Sequence, residues 1–181
     1  LLKDCFKHVH VSIFEMADFT FEITTSRAIA AQILRHRHFN YQEFSQRYAE
    51  VQAYERYEPR YQDEKNKQNS VEIFDPDIHL WFQEAQQNVE NNSEHYYREA
   101  LKMGIAKEQA RFLLPMTVQT VMYMKGSLRS WIHYLAIRRG PETQKEHRDI
   151  ADAIYKILLV EVPAVIALLP DFEILTSNPY D

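Results

Sequence analysis

Basic and hydroxyl side chains are concentrated in one stretch of this chain, residues 35–48, and they suit the binding of an anion. Between Arg27 and Arg47 there are four arginines and one carboxylate, Glu43, which gives a local net charge of +3 in a chain whose total is -5. Guanidinium and hydroxyl groups bind a phosphate monoester well, since each charge-assisted hydrogen bond contributes about 1.5 to 3 kcal/mol. The composition of the stretch therefore predicts a local phosphate site.

The second half of the stretch alternates in a way that favours such a site. If the backbone is extended there, Glu43, Ser45 and Arg47 all project from one face, because side chains on a strand repeat with period two. The first half has a simpler explanation. A short helix is predicted over Ser26–Leu34, with Ser26 as its candidate N-cap, and the helix dipole favours basic residues where a helix ends.

Helices are expected to position this stretch, with few strands. Asp18–Thr24 alternates apolar and polar residues and predicts a half-buried strand, and bulky residues predict a second strand over Val118–Met124. The other predicted helices cover Leu1–Lys7, Asp75–Met103, Ala106–Leu114, a segment capped by Ser127 and a segment opened by a capping box at Thr143–Glu146. Tyr54–Ser70 is aperiodic and predicts a long loop. Since regular βαβ units are missing, we predict an α+β fold, a small antiparallel-type sheet flanked by long helices.

Length and composition limit the class of protein. A chain of 181 residues predicts a single domain, 1–181, with a substantial core. A net charge of -5 argues against a protein that coats nucleic acid, and no run reaches the roughly 18 apolar residues of a membrane span. The single cysteine, Cys5, excludes an internal disulfide framework and fits a reducing compartment, so a cytoplasmic location is expected.

Glycine and cysteine usage exclude two common kinds of site. The chain has three glycines, so neither a dinucleotide fingerprint nor a P-loop can be written, and arginines must hold the phosphates of any bound nucleotide. Cys5 lies in an apolar helix tail and is expected to be a small buried hydrophobe rather than a nucleophile. His8 and His10, or His36 and His38, could pair as metal ligands, but no third ligand stands at a recognisable spacing, so no metal is expected.

Burial is expected at two further places. The apolar stripe of the long helix Asp75–Met103 should include Val89 and Tyr96. Arg111 precedes the apolar run Phe112–Leu114, which should be buried. A buried arginine needs an anionic partner, either an internal carboxylate or a ligand phosphate.

The order of these motifs resembles the signature of the flavin-dependent thymidylate synthases. Arg35-His36-Arg37 is followed, after seven residues, by Ser45. The match continues through His10-x-x-x-Phe14-Glu15, Gln32, Glu43-Phe44-Ser45-Gln46-Arg47-Tyr48, Ala110-Arg111-x-x-Leu114-Pro115 and Arg138-x5-Gln144-x-Glu146. The resemblance covers nearly the whole chain and implies the thymidylate synthase complementing protein fold.

The resemblance implies an enzyme that methylates dUMP reductively to dTMP. FAD would be the prosthetic group, methylenetetrahydrofolate would give the one-carbon unit and NADPH would reduce the flavin. The protein would be a homotetramer whose active sites are shared between subunits, with neither a membrane nor a nucleic acid as partner. The family usually begins with a further strand and helix that carry a small polar FAD contact, and this chain is expected to lack them.

Residue roles follow from the same resemblance. The implied FAD contacts are His10, Ser12, Arg35, His36, Arg37, Glu43, Ser127, Arg129 and His133. The implied dUMP contacts are Gln32, Arg35, Glu43, Ser45, Gln46, Arg47, Arg111 and Arg138. Arg138 is also the implied catalytic residue, since a guanidinium that keeps its charge can polarise the uracil and stabilise its deprotonated ring. Some members carry histidine at the position of Glu142 and asparagine at that of His133.

Two other functions use the same residues. A nucleotide or RNA binding module without catalysis would use the basic stretch together with stacking on the aromatic segment Tyr54–Tyr61. A flavin reductase that has lost methyl transfer would bind flavin and oxidise NADPH whether or not dUMP is present.

Overall fold

A computed structural model of the chain describes residues 2–8, 10–48 and 53–169, and it divides into two compact units. The first unit comprises Leu1–Ile23, Gln32–Tyr41 and Tyr123–Asp181, and the second comprises Thr24–Ala31 and Gln42–Met122. Leu1, the first residue of the predicted N-terminal helix, lies outside the described residues.

The described residues form helices and two small sheets. The α-helices are α1 (Leu2–Lys7), α2 (Arg27–Ile33), α3 (Pro76–Lys102), α4 (Lys107–Ala110), α5 (Leu128–Arg138), α6 (Lys145–Glu161) and α7 (Pro163–Ile166), with 3-10 helices at Val11–Glu15 and Arg111–Leu113. The strands are β1 (Asp18–Ser26), β2 (Asn40–Glu43), β3 (Arg60–Gln62), β4 (Ser70–Glu72) and β5 (Gln119–Ser127). One sheet has the order β1-β5-β2, and β3 pairs antiparallel with β4. The predicted α+β fold is confirmed.

Strand β1 and helix α2 follow the local sequence rules. The side chains of β1 alternate in exposure, with Ile23 and Thr25 buried, as the predicted half-buried strand requires. The strand runs to Ser26, whose Oγ accepts a hydrogen bond from the backbone N–H of Ile29 at 3.4 Å and so caps α2. Ile33, on the last turn of α2, is fully buried. This helix ends where the basic stretch begins.

Helix α3 begins and ends as predicted. In its second half, however, the residues that are buried stand one position later in sequence than the predicted ones. Asp75 caps it by accepting from the N–H of Asp77 at 2.9 Å, and Gly104, at φ +82, follows its end. The predicted burial of Val89 and Tyr96 is wrong, since they are 54% and 60% exposed. Their neighbours Glu90 and Tyr97 are buried instead.

This shift in the buried positions has a long-range cause. The carboxylate of Glu90 accepts from Arg56, with Nη2 and Oε2 2.9 Å apart, and this ion pair turns Glu90 toward the segment 53–58. A buried carboxylate is tolerated only where such a partner exists. The periodicity of α3 could not reveal the partner, which lies 34 residues away in sequence.

Helix α5 lies in the core of the first unit. Ser127 caps it by accepting from the N–H of Ser130 at 3.3 Å, which confirms the predicted cap. Its apolar residues recur at helical spacing and are buried together with Tyr134, namely Leu128, Trp131, Ile132 and Leu135. One cluster of this core consists of Phe14, Leu128, Ile132, Val165 and Leu168. The helix therefore carries its polar end, Arg138, on a rigid support.

Three other predictions need correction. The predicted loop Tyr54–Ser70 contains β3, and Tyr54 forms an isolated bridge with Val118. The capping box predicted at Thr143–Glu146 is wrong, since α6 has Gln144 as its N-cap with no side-chain cap hydrogen bond, while Oγ1 of Thr143 donates to the carbonyl of Ile137 at 3.3 Å. The predicted burial of Phe112–Leu114 is also wrong, since Phe112 is 74% exposed.

No helix in the described part of the chain combines the length and the apolar character that a membrane span requires.

Candidate active site

A contact between Arg138 and His36 joins two of the predicted site residues within the first unit. Arg138 ends helix α5, and its Nε–H donates to Nε2 of His36 at 2.6 Å. His36 follows the end of α2, and it is 9% exposed. The predicted catalytic arginine and the central residue of the Arg35-His36-Arg37 motif are therefore in direct contact.

The chemistry of this contact requires a neutral histidine. Nε2 can accept a hydrogen bond only when it carries no proton, which places the ring proton on Nδ1. Burial and the charge of Arg138, with smaller effects from His133 and His38, together lower the pKa of His36 to about 4. His36 is therefore an acceptor for the Arg138 guanidinium throughout the neutral pH range.

Residues on and near α5 line a cavity in the first unit. Glu15, His38, Arg129, Ser130 and His133 line a cavity of about 410 Å³. Nη1 of Arg129 lies 3.1 Å from Oε1 of Glu15, and the hydroxyl of Ser130 donates to the carbonyl of His38 at 3.3 Å. Burial lowers the pKa of His133, and His38 and Arg129 lower it further. The cavity is in the usual size range for small-molecule sites and combines one cation with two imidazoles.

The segment that follows His36 runs antiparallel to α5. His36 contacts Arg138, the rings of His38 and His133 are 6.1 Å apart, and Phe39 packs on Trp131 at 4.6 Å between centroids. Arg37 lies between the first two contacts in sequence and is exposed. Residues 36–39 therefore contact α5 in reverse chain order, from Arg138 back to Trp131.

The other predicted residues of the first unit are more exposed. Within the described residues, Arg35 and Arg37 form no ion pair, and both guanidinium groups are exposed to solvent. Nε2 of Gln32 donates to Oε1 of Gln144 at 2.6 Å, and Nε2 of Gln144 donates to Glu146 at 2.9 Å. The remaining predicted contacts are His10, Ser12 and Ser127, of which the first two are exposed and the third caps α5.

Glu43 is the centre of a second polar group, in the second unit. Oε1 of Glu43 accepts from Nη1 of Arg27 at 3.1 Å and from the hydroxyl of Thr120 at 2.9 Å. The carboxylate is thus fixed by one charged and one neutral donor. Glu43 ends β2, and the N–H of Phe44 continues the pairing by donating to the carbonyl of Val121 at 2.9 Å.

The extended geometry considered for Glu43, Ser45 and Arg47 stops at Glu43. Residues 46–48 form a turn, in which the N–H of Tyr48 donates to the carbonyl of Ser45 at 3.1 Å. The Ser45 hydroxyl accepts from the N–H of Arg47 at 3.4 Å, and such local hydrogen bonds compete with a strand. Ser45 and Arg47 are therefore brought together by a turn and not by strand alternation.

Gln46 and Arg111 occupy contrasting environments. Gln46 is 8% exposed, and its amide Nε2 has no hydrogen-bond partner among the described residues. A buried donor without a partner costs about 1 to 3 kcal/mol, so such groups usually meet a ligand or water. Arg111 is half-buried, with its guanidinium 5.4 Å from the ring of Phe112, and no described carboxylate pairs with it. Both residues are equipped to meet a polar ligand.

The sequence did not single out His147 or Tyr134. His147 is 1% exposed, and its Nε2 lies 3.0 Å from the hydroxyl of Tyr134. His147 stands in the buried stripe of α6 with Ala151, Ile154 and Leu158. A histidine at a position where helical spacing calls for an apolar residue was the available signal.

Comparison with known proteins decides the family. Residues 1–164 match the family model described as thymidylate synthase complementing protein. The chain belongs to this family. Its resemblance to the flavin-dependent thymidylate synthases, first drawn from motif order, is thereby confirmed.

The alignments of this family member with its relatives cover most of its length. It is 55% identical over 169 residues to a flavin-dependent thymidylate synthase of Synechocystis sp., which covers 93% of this chain and 79% of the relative. It is 48% identical over 166 residues to a probable flavin-dependent thymidylate synthase of Paramecium bursaria Chlorella virus 1, covering 91% and 77%.

Solved structures share the fold of this family member. A UMP/dUMP methylase from Streptomyces cacaoi bound with 5-Br UMP superposes with a TM-score of 0.85 at 23% identity, covering 93% of this chain and 81% of that one. The same protein bound with 5-Br dUMP gives a TM-score of 0.85 at 21% identity. At these identities the likeness establishes the fold.

Proposed function

We propose that this chain is a flavin-dependent thymidylate synthase that converts dUMP to dTMP by reductive methylation. The observation that carries the proposal is the 55% identity, over 93% of the chain, to a relative of that name. The contact between Arg138 and His36 supports it, because it joins the implied catalytic residue to the implied flavin motif. The assignments of individual residues below are part of the proposal.

The residues of the first unit fit a flavin dinucleotide. The chain has three glycines, too few for a glycine-rich phosphate loop, so side chains must hold the phosphates of the flavin dinucleotide. The exposed side chains of Arg35 and Arg37 are suited to that task. Arg129 and His133 line the 410 Å³ cavity and would contact the cofactor there. Arg129 would exchange Glu15 for an anionic or carbonyl oxygen of the cofactor. The other proposed FAD contacts are His10, Ser12, His36, Glu43 and Ser127.

When bound, FAD would supply the hydride that reduces the transferred one-carbon unit to a methyl group. The protein's own residues bind, orient and exclude water around the reacting groups. Arg138 keeps its positive charge at any working pH, so it can stabilise negative charge that develops on the uracil without losing a proton. His36 accepts a hydrogen bond from the Nε–H of Arg138, so the two terminal nitrogens of that guanidinium are left for the nucleotide.

Residues of the second unit are proposed to bind dUMP. Ser45 and Arg47 would hold the phosphate, and the buried amide of Gln46 supports this site because its donor lacks a partner among the described residues. Arg111, without a described carboxylate partner, would add a second cation. The other proposed dUMP contacts are Gln32, Arg35, Glu43 and Arg138.

Co-substrates and assembly complete the proposal. Methylenetetrahydrofolate would give the carbon and NADPH would reduce the flavin, as the resemblance implies. A homotetramer with shared active sites is supported by large apolar side chains on the surface, among them Phe74, Trp81 and Phe112, which are 86%, 65% and 74% exposed. A cytoplasmic location rests on the cysteine usage of the sequence alone.

Two measurements on the purified protein test the proposal. Flavin absorbance in the visible range should be present, and dTMP should form when dUMP, methylenetetrahydrofolate and NADPH are all supplied. Colourless protein that binds nucleotide would favour the binding module. Yellow protein whose NADPH oxidation ignores dUMP, and that forms no dTMP, would favour the flavin reductase.

A further inference from the structure

Two buried residues outside the proposed site pack against the histidine that contacts Arg138. Tyr134 stands four residues before Arg138 on α5, so both lie on the same face of that helix. His147 lies in the first turn of α6. Tyr134 is 0% exposed and His147 is 1% exposed. Neither can touch a ligand directly, so any part they play in the reaction must pass through a neighbour.

That neighbour is His36, which lies between the two rings and Arg138. The centroid of its ring is 5.0 Å from that of Tyr134 and 6.1 Å from that of His147, with interplanar angles of 77° and 82°. The Tyr134 hydroxyl and Nε2 of His147 are 3.0 Å apart, which joins the two rings to each other. His36 is therefore held edge to face by a hydrogen-bonded pair from two different helices.

The orientation of the His36 ring matters because its two edges differ chemically. A half-turn about χ2 would place a carbon atom where Nε2 now accepts from Arg138, and the 2.6 Å contact would be lost. Packing by Tyr134 and His147 fixes the plane of the ring, and within that plane the contact with Arg138 selects the edge that faces the guanidinium. A side chain whose rotamer is fixed by packing holds its partner more accurately than one that is free to rotate.

The surroundings also keep this group uncharged. Burial, with smaller effects from Arg138 and His36, lowers the pKa of His147 to about 4, and burial raises the pKa of Tyr134. The other titratable groups that face His36 are His133 from α5, His38 from its own segment and the hydroxyl of Tyr41 at its carbonyl, 2.8 Å away. Near pH 7, Arg138 is thus the charged member of the group that it forms with His36, Tyr134 and His147.

We infer that Tyr134 and His147 are positioning residues, whose hydrogen-bonded pair fixes the ring of His36 and, through it, the guanidinium of Arg138 in the orientation used for the nucleotide. The inference rests on the proposed function, since it assigns Arg138 to the uracil. It predicts that the hydrogen bond between the pair, and not merely the volume of the two rings, is needed.

Paired substitutions separate these possibilities. His147→Phe keeps an aromatic ring and removes the hydrogen bond, whereas His147→Gln keeps a polar group near the position of Nε2. We expect kcat for dTMP formation to fall about tenfold in His147→Phe with little change in KM for dUMP, and His147→Gln to recover most of it. Tyr134→Phe, which loses a single hydroxyl, should reproduce the effect and serves if His147→Phe does not fold.

A chemical readout checks the positioning without turnover. Arginine modification by phenylglyoxal, followed by mass spectrometry, should become several-fold faster at Arg138 in His147→Phe and stay unchanged at Arg139, whose Nε lies 2.6 Å from Asp152. Equal acceleration at both arginines would indicate general loosening and overturn the inference, as would full kcat in His147→Phe or equal loss in His147→Gln. Absence of dTMP from the wild-type reaction would refute the proposed function, while the modification contrast would still test the positioning.

Discussion

Arg47, a proposed phosphate ligand, is held by Glu108. Nη2 of Arg47 lies 2.9 Å and Nε lies 3.2 Å from Oε2 of Glu108, and about half of each side chain is exposed. A nucleotide phosphate would have to compete with this carboxylate for the guanidinium. Glu108 therefore opposes phosphate binding while it keeps Arg47 oriented.

Removing that carboxylate should strengthen nucleotide binding. Because an exposed ion pair contributes about 0.2 to 1 kcal/mol, we expect Glu108→Gln to lower the Kd for dUMP by a factor of about 1.4 to 5. Titration calorimetry measures the change. Glu94→Gln, which removes the carboxylate of an exposed pair with Arg98 on α3, is the matched control and should leave Kd as it is. Weaker binding by Glu108→Gln would mean that the carboxylate helps to hold the nucleotide.

Gln46 should show opposite effects on stability and on binding. In the free protein its buried Nε2 has no partner among the described residues, so Gln46→Met, of similar size, should leave the free energy of unfolding unchanged or increase it. The same substitution should weaken dUMP binding about tenfold, because the amide donor to the nucleotide is lost. Urea denaturation and titration with dUMP provide the two numbers. Loss of stability without loss of binding would contradict the assignment.

Acid should destabilise the folded chain in a defined window. Burial, reinforced by Arg138, lowers the pKa of His36 and His147 from 6.5 to about 4. The unfolded chain takes up these protons as the pH falls below about 6.5, whereas the folded chain takes them up only near pH 4. The contribution of the two neutral histidines to the free energy of unfolding is therefore complete above pH 6.5 and is lost as the pH falls from about 6.5 to about 4.

Urea denaturation between pH 4 and pH 7 measures this loss. His147→Phe should lose less stability across the window than the wild type, because one of the two protons is no longer taken up on unfolding. His95→Gln replaces an exposed histidine and should retain the wild-type pH dependence. Identical slopes in all three proteins would show that buried histidines do not set the acid limit.

Gly126 should be intolerant of a side chain. A Cβ atom at this position would overlap the ring of Phe39, which is itself packed between Trp131, 4.6 Å away, and Tyr134, 5.8 Å away. The ring cannot move aside, so Gly126→Ala should cost about 1 to 3 kcal/mol of stability. In Gly140→Ala the added atom would meet the flexible carboxylate of Glu142 at 3.1 Å, and the loss should be smaller. Thermal denaturation compares the two, and equal loss would contradict the explanation.

Local sequence rules predicted the elements whose causes are local. The alternation in β1 and the caps at Ser26 and Ser127 each depend on residues within a few positions of one another. The buried face of α5 also followed, since its apolar residues recur at helical spacing. These parts of the fold needed no knowledge of distant partners.

At three places the structure departs from the local pattern for a different reason. Glu90 is buried because Arg56 reaches it, Thr143 turns back to the carbonyl of Ile137, and Ser45 closes a turn with its own hydroxyl. In each case a specific polar partner overrode the periodic pattern. His147 was missed for the same reason, since its partner Tyr134 is brought to it by folding.

The motif order predicted which site residues belong together better than it predicted their geometry. His36 and Arg138, separated by 102 positions, are in contact. Ser45 and Arg47 are neighbours through a turn and not through the strand alternation that was considered for them. The resemblance therefore indicates which residues belong to a site. The local hydrogen bonds that each residue forms determine its orientation there.

The most direct test of the account compares turnover by Arg138→Ala with that by Arg139→Ala. The two arginines are adjacent, but Arg139 pairs with Asp152 and stacks 3.6 Å from the ring of Tyr155, whereas Arg138 contacts His36. We predict that Arg138→Ala lowers kcat for dTMP formation by about 100-fold to 1000-fold, the usual effect of removing one preorganised electrostatic group, and that Arg139→Ala stays within a few-fold of wild type. Full dTMP synthesis by Arg138→Ala would contradict the account.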